Sequence, residues 1–292
     1  MRPRLSSAIV TGALLGLWLA APLAVSAQED TLSRIKRTNA LTIGYRESSP
    51  PFSFVSAGDP KPKGYSIDLC LRIAESIKKE LGLTQLDIKW VKVTPEDRIA
   101  AVNNGSVDIE CGSTTKTLGR MAQVDFTVIT FLDGGSLLTA TAAKIKRLPD
   151  VAGKRVGVVP GTTTEAALRD MIVKLKLQGV TLLGVKDHGE GVAALEAGRL
   201  DAYASDRTLL AGLAAAAKDP TKLYLIEDFI SYEPYALMVR RGDPNFHLAV
   251  DRALIRLYRS ADVVPIYEKW FGPFPESSSL IAAVYVLNSV PD

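Results

Sequence analysis

Histidine and cysteine are scarce, with two of each in 292 residues. A chain so poor in both argues against a structural zinc site and against a disulfide-dense scaffold. Charge of one sign is also missing. Lys and Arg total 35 against 32 Asp and Glu, a net of +3, which is no electrostatic footprint for nucleic acid. No P-loop, G-x-S-x-G, H-E-x-x-H or G-x-G-x-x-G occurs. What remains is an ordinary globular composition, 47% hydrophobic and 23% charged. The length suits one large or two ordinary domains.

Residues 1–27 differ from the rest. Arg2 and Arg4 precede an uncharged stretch rich in Ala, Leu and Val, and Val25-Ser26-Ala27 ends it before Gln28. This is the layout of a cleavable secretory signal peptide. Its apolar centre is shorter than the roughly 20 residues that span a bilayer. Removing residues 1–27 takes two Arg and no acid, so the net charge falls to +1. No later apolar run is long enough to span a membrane, so a soluble exported protein is expected. In an oxidising compartment Cys70 and Cys111 can pair; the alternative is two buried thiols. A bond would close a loop of about 40 residues, worth about 3–4 kcal/mol in the chain-entropy model.

Strand-like and helical runs alternate along the chain. Leu41–Tyr45, Leu86–Val93 and Val107–Cys111 read as strands. Helical stretches at Asp68–Leu81 and Glu96–Val102 lie between them. The second half repeats the plan. Its strands are Arg155–Val159, Thr181–Val185 and Leu200–Ala204, and its helices Thr164–Leu175, Gly191–Glu196 and Ala211–Ala217. Each half contains helix, Gly, x, apolar residue, Asp and then strand, through Gly105 to Asp108 and through Gly198 to Asp201. The two glycines read as left-handed ends of their helices. This predicts two α/β lobes of similar build, each presenting ligand groups at the carboxyl ends of its strands.

Several residues fall at such ends: Arg46, Pro95 with Arg98, Ser113, His188 and Asp206. Gly161-Thr162-Thr163-Thr164-Glu165 follows a strand and opens a helix. It suits a carboxylate or phosphate, simple helix capping, or both. Gly112-Ser113-Thr114-Thr115 with Arg120 offers hydroxyls and a guanidinium fork. Taken singly, Arg46 and Arg98 fit ordinary surface charges, Arg120 reads as a surface residue, and His188 as a structural hydrogen-bonding residue. Asp206 wants a cationic partner, either Arg207 or a ligand ammonium.

Taken together, these stretches resemble the periplasmic solute-binding proteins for polar amino acids that serve ABC importers (solute-binding family 3). The likeness spans about residues 31–274. It is carried by Ile43 through Ser53, Gly64-Tyr65-Ser66-Ile67-Asp68, Asn104 through Thr115, Gly161-Thr162-Thr163, Lys186-Asp187-His188-Gly189 and Tyr267 through Phe271. Arg46-Glu47-Ser48-Ser49, Glu110-Cys111-Gly112-Ser113-Thr114-Thr115 and Asp187-His188-Gly189 are more specific to the glutamate/aspartate-binding branch.

The resemblance implies a type II periplasmic-binding-protein fold with two hinge crossovers. Each lobe is expected to be a mainly parallel sheet flanked by helices. By analogy, lobe 1 is about 31–135 plus 237–292 and lobe 2 about 136–236. Arg120 is implied for the ligand α-carboxylate, helped by the N–H groups or hydroxyls of Thr115, Thr163 and Thr164. Asp206 with Ser113 is implied for the α-ammonium, and Arg46, Arg98 and His188 for the side-chain carboxylate. Counting Arg46, Arg98 and Arg120 against Asp206 leaves the site at +2 with His188 neutral. Pro95 stands where the branch often has a polar residue, and Ser205-Asp206-Arg207 replaces a more acidic pair.

The implied protein is a periplasmic monomer that binds L-glutamate or L-aspartate, closes about a hinge and docks on an inner-membrane ABC permease. No enzyme activity, cofactor, metal or nucleic acid is implied. Three alternatives are kept. One is glutamine or an amine-free dicarboxylate as ligand. Another is a partner-dependent sensor. The third is a cyclic dicarboxylate dehydratase on the same fold, using Glu110 or His188 as acid or base. The stretch Ser277–Asp292 is apolar enough to pack on lobe 1.

Overall fold

In the computed structural model, residues 29–272 and 278–291 are described. The expected signal peptide lies outside them. Two five-stranded sheets organise the chain. The first runs Asp87–Lys92, Ala40–Tyr45, Ile109–Glu110, Met238–Val239, Asp125–Phe126 in spatial order. The second runs Thr181–Gly184, Arg155–Val158, Ala202–Asp206, Gly135–Ala140, Leu223–Leu225.

Three strands of each sheet are parallel, as the alternating pattern predicts. The sheets are nevertheless mixed. Gly135–Ala140 and Met238–Val239 enter right after the crossovers and pair antiparallel with their neighbours. Each crossover delivers one strand to the other sheet, and that strand runs antiparallel to its neighbours. The crossovers themselves, Phe131–Asp133 and Glu233–Tyr235, pair with each other as a two-stranded antiparallel ribbon.

Successive strand residues face opposite sides of a sheet. Leu137 and Leu138 accordingly enter two different cores of the second lobe, one with Val156 and Leu168, the other with Leu195 and Tyr203. In the first lobe Leu237 and Val239 join the core around Ile43, whereas Ala236 and Met238 join one around Val107. Helices Tyr65–Glu80, Pro244–Arg259 and Val263–Phe271 cover one face. The C-terminal helix Ser278–Leu287 packs there too, burying Ile281, Val284 and Tyr285.

The crossover ribbon is anchored in an aromatic cluster of the first lobe. Phe131 and Tyr235 pack with Phe52, Tyr65 and Phe271, with ring centroids 4.7–6.2 Å apart. Each such pair contributes about 0.5–1.5 kcal/mol beyond burial. The second lobe is therefore tethered through strands whose bases are fixed on the first. Gly105 and Gly198 have φ of +76° and +68°, the left-handed helix ends read from the sequence. Among the described residues no helix is long and apolar enough to cross a membrane, and no group of three or more His, Cys, Asp or Glu could hold a metal ion.

Candidate functional site

A narrow cleft between the two sheets, about 300 Å³ of interatomic space, is lined by Arg46, Arg98, Ser113, Thr115, Thr163, Thr164, His188 and Asp206. Pro95, Thr162, Ser205 and Leu209 complete its lining. Eight of the nine sequence-predicted ligand residues thus converge there. The ninth, Arg120, spans the cleft's edge. Its Nη1 donates to the Thr115 carbonyl at 2.9 Å and its Nη2 to the Gly161 carbonyl of the other lobe at 3.4 Å.

Arg46 and Arg98 are almost wholly buried. Arg46 directly follows the strand Ala40–Tyr45, and Arg98 opens the short helix Arg98–Asn103. Burial and mutual repulsion depress the Arg46 pKa to about 10, still charged at neutral pH. Burial also lowers that of Arg98. Arg98 donates to Thr114 Oγ1 at 2.8 Å, and that hydroxyl donates to Glu110 Oε2 at 2.8 Å. Gly112 makes this possible. A Cβ there would lie 2.1 Å from Glu110 Oε1 and 3.0 Å from Arg46 Cγ.

His188 is the first residue of the helix His188–Glu196, three residues earlier than the pattern suggests, because Asp187 caps it by accepting the Glu190 N–H. Its Nδ1 lies 2.6 Å from the Tyr203 hydroxyl. Burial, then Arg46 and Arg98, hold its pKa down to about 3, so the ring is neutral. Burial keeps the Tyr203 hydroxyl protonated. With Tyr203 donating to Nδ1, the ring hydrogen sits on Nε2, where it can be given to a carboxylate.

Asp206 ends its strand, buried. Thr164 Oγ1 donates to its Oδ1 at 2.6 Å, and the Tyr235 hydroxyl donates to its Oδ2. Arg207 is not its partner. That side chain donates to the Ile226 carbonyl and covers the Phe229 ring. Burial and the nearby Glu233 raise the Asp206 pKa to about 6. Arg120 falls to about 10 by burial and the proximity of Arg98.

Two expectations need correction. The hydroxyls of Thr115, Thr163 and Thr164 are not spare donors, since each donates to a protein carboxylate. The count of +2 also omits three carboxyl groups. Glu110 and Glu233 are fully buried. Asp133 accepts the Gly134 and Thr208 N–H groups, and burial and Asp206 raise its pKa to about 8. Asp133 is thus largely neutral at pH 7. Glu110, Asp206 and Glu233 then balance the three Arg overall. In Val107–Cys111 the acids Asp108 and Glu110 alternate with apolar residues, so the pattern alone places Glu110 on a polar face and does not reveal its burial. Glu233 and Asp133 lie in the crossovers, where no periodicity marks them.

Cys70 and Cys111 form a disulfide, with Cα atoms 6.4 Å apart. It ties the helix Tyr65–Glu80 to the residue preceding the Gly112–Thr115 loop. Ser66 Oγ donates to the Gly112 carbonyl at 2.7 Å on the same side. The loop is further fixed to the second crossover, where Lys116 N donates to Pro234 O and Ala236 N to Thr114 O.

Residues 41–273 match the sequence profile of the bacterial extracellular solute-binding proteins, family 3. The chain is 41% identical over 273 residues to an L-glutamate/L-aspartate-binding protein of Pseudomonas aeruginosa, covering 93% of this chain and 90% of that one. It is 37% identical over 272 residues to a glutamate/aspartate import solute-binding protein of Salmonella typhimurium, covering 91% and 89%. Among solved structures, an ancestral arginine-binding protein bound to glutamine is similar with a TM-score of 0.71 at 28% identity, over 80% of this chain and 98% of that one.

Proposed function

The chain belongs to the bacterial extracellular solute-binding proteins, family 3, and from that membership we propose that it captures L-glutamate or L-aspartate between its two lobes and delivers it to an inner-membrane ABC permease. The observation that carries this reading is the polarity of the cleft. Two buried guanidinium groups, a neutral His188 and the buried carboxyl group of Asp206 line the same cleft, so it offers groups for both anions and a cation.

Complementarity is local rather than a matter of net charge. Arg98 reaches the buried Glu110 through Thr114, and Glu110 is also the strongest counter-charge felt by Arg46. That leaves one guanidinium uncompensated at this pole, which suits one side-chain carboxylate held bidentately. Arg120 serves the α-carboxylate and Asp206 the α-ammonium. A basic side chain would meet two like charges and be rejected, so selectivity uses repulsion as well as attraction. Glutamine would leave the guanidinium without its counter-ion.

Ligand contacts from both lobes favour the closed form by their differential affinity. The lobes are about 31–135 plus 237–292 and about 136–236, with the crossover ribbon as hinge. Residues 1–27 direct the chain to the periplasm and are removed. The protein acts as a monomer and performs no catalysis. His188, one of the two residues a dehydratase on this fold would use as acid or base, is held to about 3 and is poorly suited to that task.

Small-angle scattering of the purified protein tests closure. Adding L-glutamate is expected to reduce the radius of gyration and lysine to leave it unchanged. No change with either acidic amino acid would overturn the reading.

A further inference from the structure

Glu233 opens the second crossover strand and is fully buried. Its carboxylate is claimed from three directions. Oε2 accepts from Thr115 Oγ1 at 2.5 Å and from Thr163 Oγ1 at 2.6 Å, and Oε1 accepts from Ser231 Oγ at 2.5 Å. Thr115 belongs to the loop at the end of a first-lobe strand, anchored by its bridge to Tyr235. Thr163 opens the second-lobe helix Thr163–Lys174. One oxygen is therefore the common acceptor for a hydroxyl from each lobe. The two hydroxyl oxygens are themselves 3.2 Å apart.

A threonine hydroxyl has one hydrogen. Thr115 and Thr163 give theirs to Glu233, which leaves the guanidinium of Arg120 and backbone N–H groups to meet a ligand carboxylate. A carboxylate is the fitting side chain here, because it only accepts and its charge strengthens each bond.

We infer that Glu233 is a positioning residue that latches the lobes: Thr115–Glu233–Thr163 forms as the cleft closes and holds the binding-competent arrangement from the hinge side. This rests on the hinge-closure reading above. The Thr115 and Ser231 bonds connect segments already fixed to the ribbon, so they persist in both forms. The Thr163 bond crosses the cleft and is made only on closing. Apparent affinity scales with the fraction of molecules in the competent form, so the latch acts on binding without touching ligand.

A double-mutant cycle by calorimetry with L-glutamate tests this, using the purified protein, Glu233→Ala, Thr163→Val and the pair. Each single change is expected to weaken binding about tenfold, as for loss of a hydrogen bond to a charged group. The pair should be little weaker than Glu233→Ala, a coupling of at least about fivefold, since both remove the same bond. Glu233→Gln keeps an acceptor oxygen and should retain most of the affinity. The latch acts by raising the closed fraction of the ligand-free protein, so ligand-free scattering should show Glu233→Ala more expanded than the unmodified protein. Additive effects in the cycle, or a Gln variant as weak as Ala, would overturn the latch. Should the unmodified protein ignore L-glutamate, the fault lies with the proposed ligand. Ligand-free scattering then decides alone: equal dimensions overturn the latch, and expansion in Glu233→Ala sustains it.

Discussion

Binding of an acidic amino acid should weaken on mild acidification, and Asp206 sets the size of the effect. Its two oxygens accept the Thr164 and Tyr235 hydroxyls, which favours the charged form, but burial and Glu233 outweigh them and place its pKa at about 6. A ligand ammonium needs the ionised form. The proton therefore competes with ligand, and the apparent Kd scales as one plus the ratio of protonated to ionised Asp206. That factor is about 1.1 at pH 7 and about 11 at pH 5, a tenfold loss or ~1.4 kcal/mol. His188, held to about 3, stays neutral across the window and adds nothing. A glutamate side chain, with its ordinary pKa of about 4.3, is still mostly ionised at pH 5. Calorimetry at pH 5, 6, 7 and 8 measures the slope. Near pH 6, heats in buffers of different ionisation enthalpy should report protons released on binding. Asp206→Asn should bind more weakly and lose the slope. Glu233→Gln should move the inflection to lower pH, because Glu233 is the main charge raising Asp206. Affinity that is flat or rises from pH 7 to pH 5 would refute the assignment of Asp206 to the ammonium.

Asp133 gives a stability prediction of definite sign. Its folded pKa, about 8, lies above the unfolded value, so the folded chain holds the extra proton between about pH 4 and pH 8 and loses stability as pH rises through that window. Asp133→Asn should accordingly gain thermal stability relative to the unmodified protein as pH rises from 5 to 8; a difference independent of pH would contradict this. Replacing Cys70 and Cys111 together by Ala opens a loop with a separation of 41. It should cost about 4 kcal/mol, a drop in Tm of roughly 8–15 °C by calorimetry, and should weaken ligand binding because Cys111 precedes the Gly112–Thr115 loop. Arg98→Ala removes a proposed ligand contact and leaves Glu110 with Arg46 alone as its counter-charge. Titration should show L-glutamate weakened by about 2–4 kcal/mol, roughly 30- to 1000-fold, with L-glutamine affected far less.

Much of this architecture is legible in the residue order, because it depends on local chemistry. The strand and helix alternation, the left-handed ends at Gly105 and Gly198, and the cap at Thr162 are each written within a few residues. The convergence of Arg46, Arg98, Ser113, His188 and Asp206 follows from one topological rule, that loops after parallel strands share an edge. The balance of charge is not local. Glu110 and Arg98 meet through Thr114 only because two strands and Gly112 bring them together. Asp133 and Glu233 face each other across the crossover ribbon, a pairing between segments a hundred residues apart. Tyr235 contributes its ring to one lobe and its hydroxyl to Asp206 of the other. Such roles depend on which residue lies opposite, and no pattern within one strand specifies that.

On the proposed function, the cleft reads two carboxylates and one ammonium at once. Isothermal calorimetry of ligand-stripped protein against L-glutamate, L-aspartate, L-glutamine, L-arginine and succinate tests it most directly. The arrangement of Arg46, Arg98, Arg120 and Asp206 predicts tight 1:1 binding of the two acidic amino acids, with L-glutamine, L-arginine and succinate far weaker. Binding of L-arginine, or of succinate as tightly as L-glutamate, would contradict it.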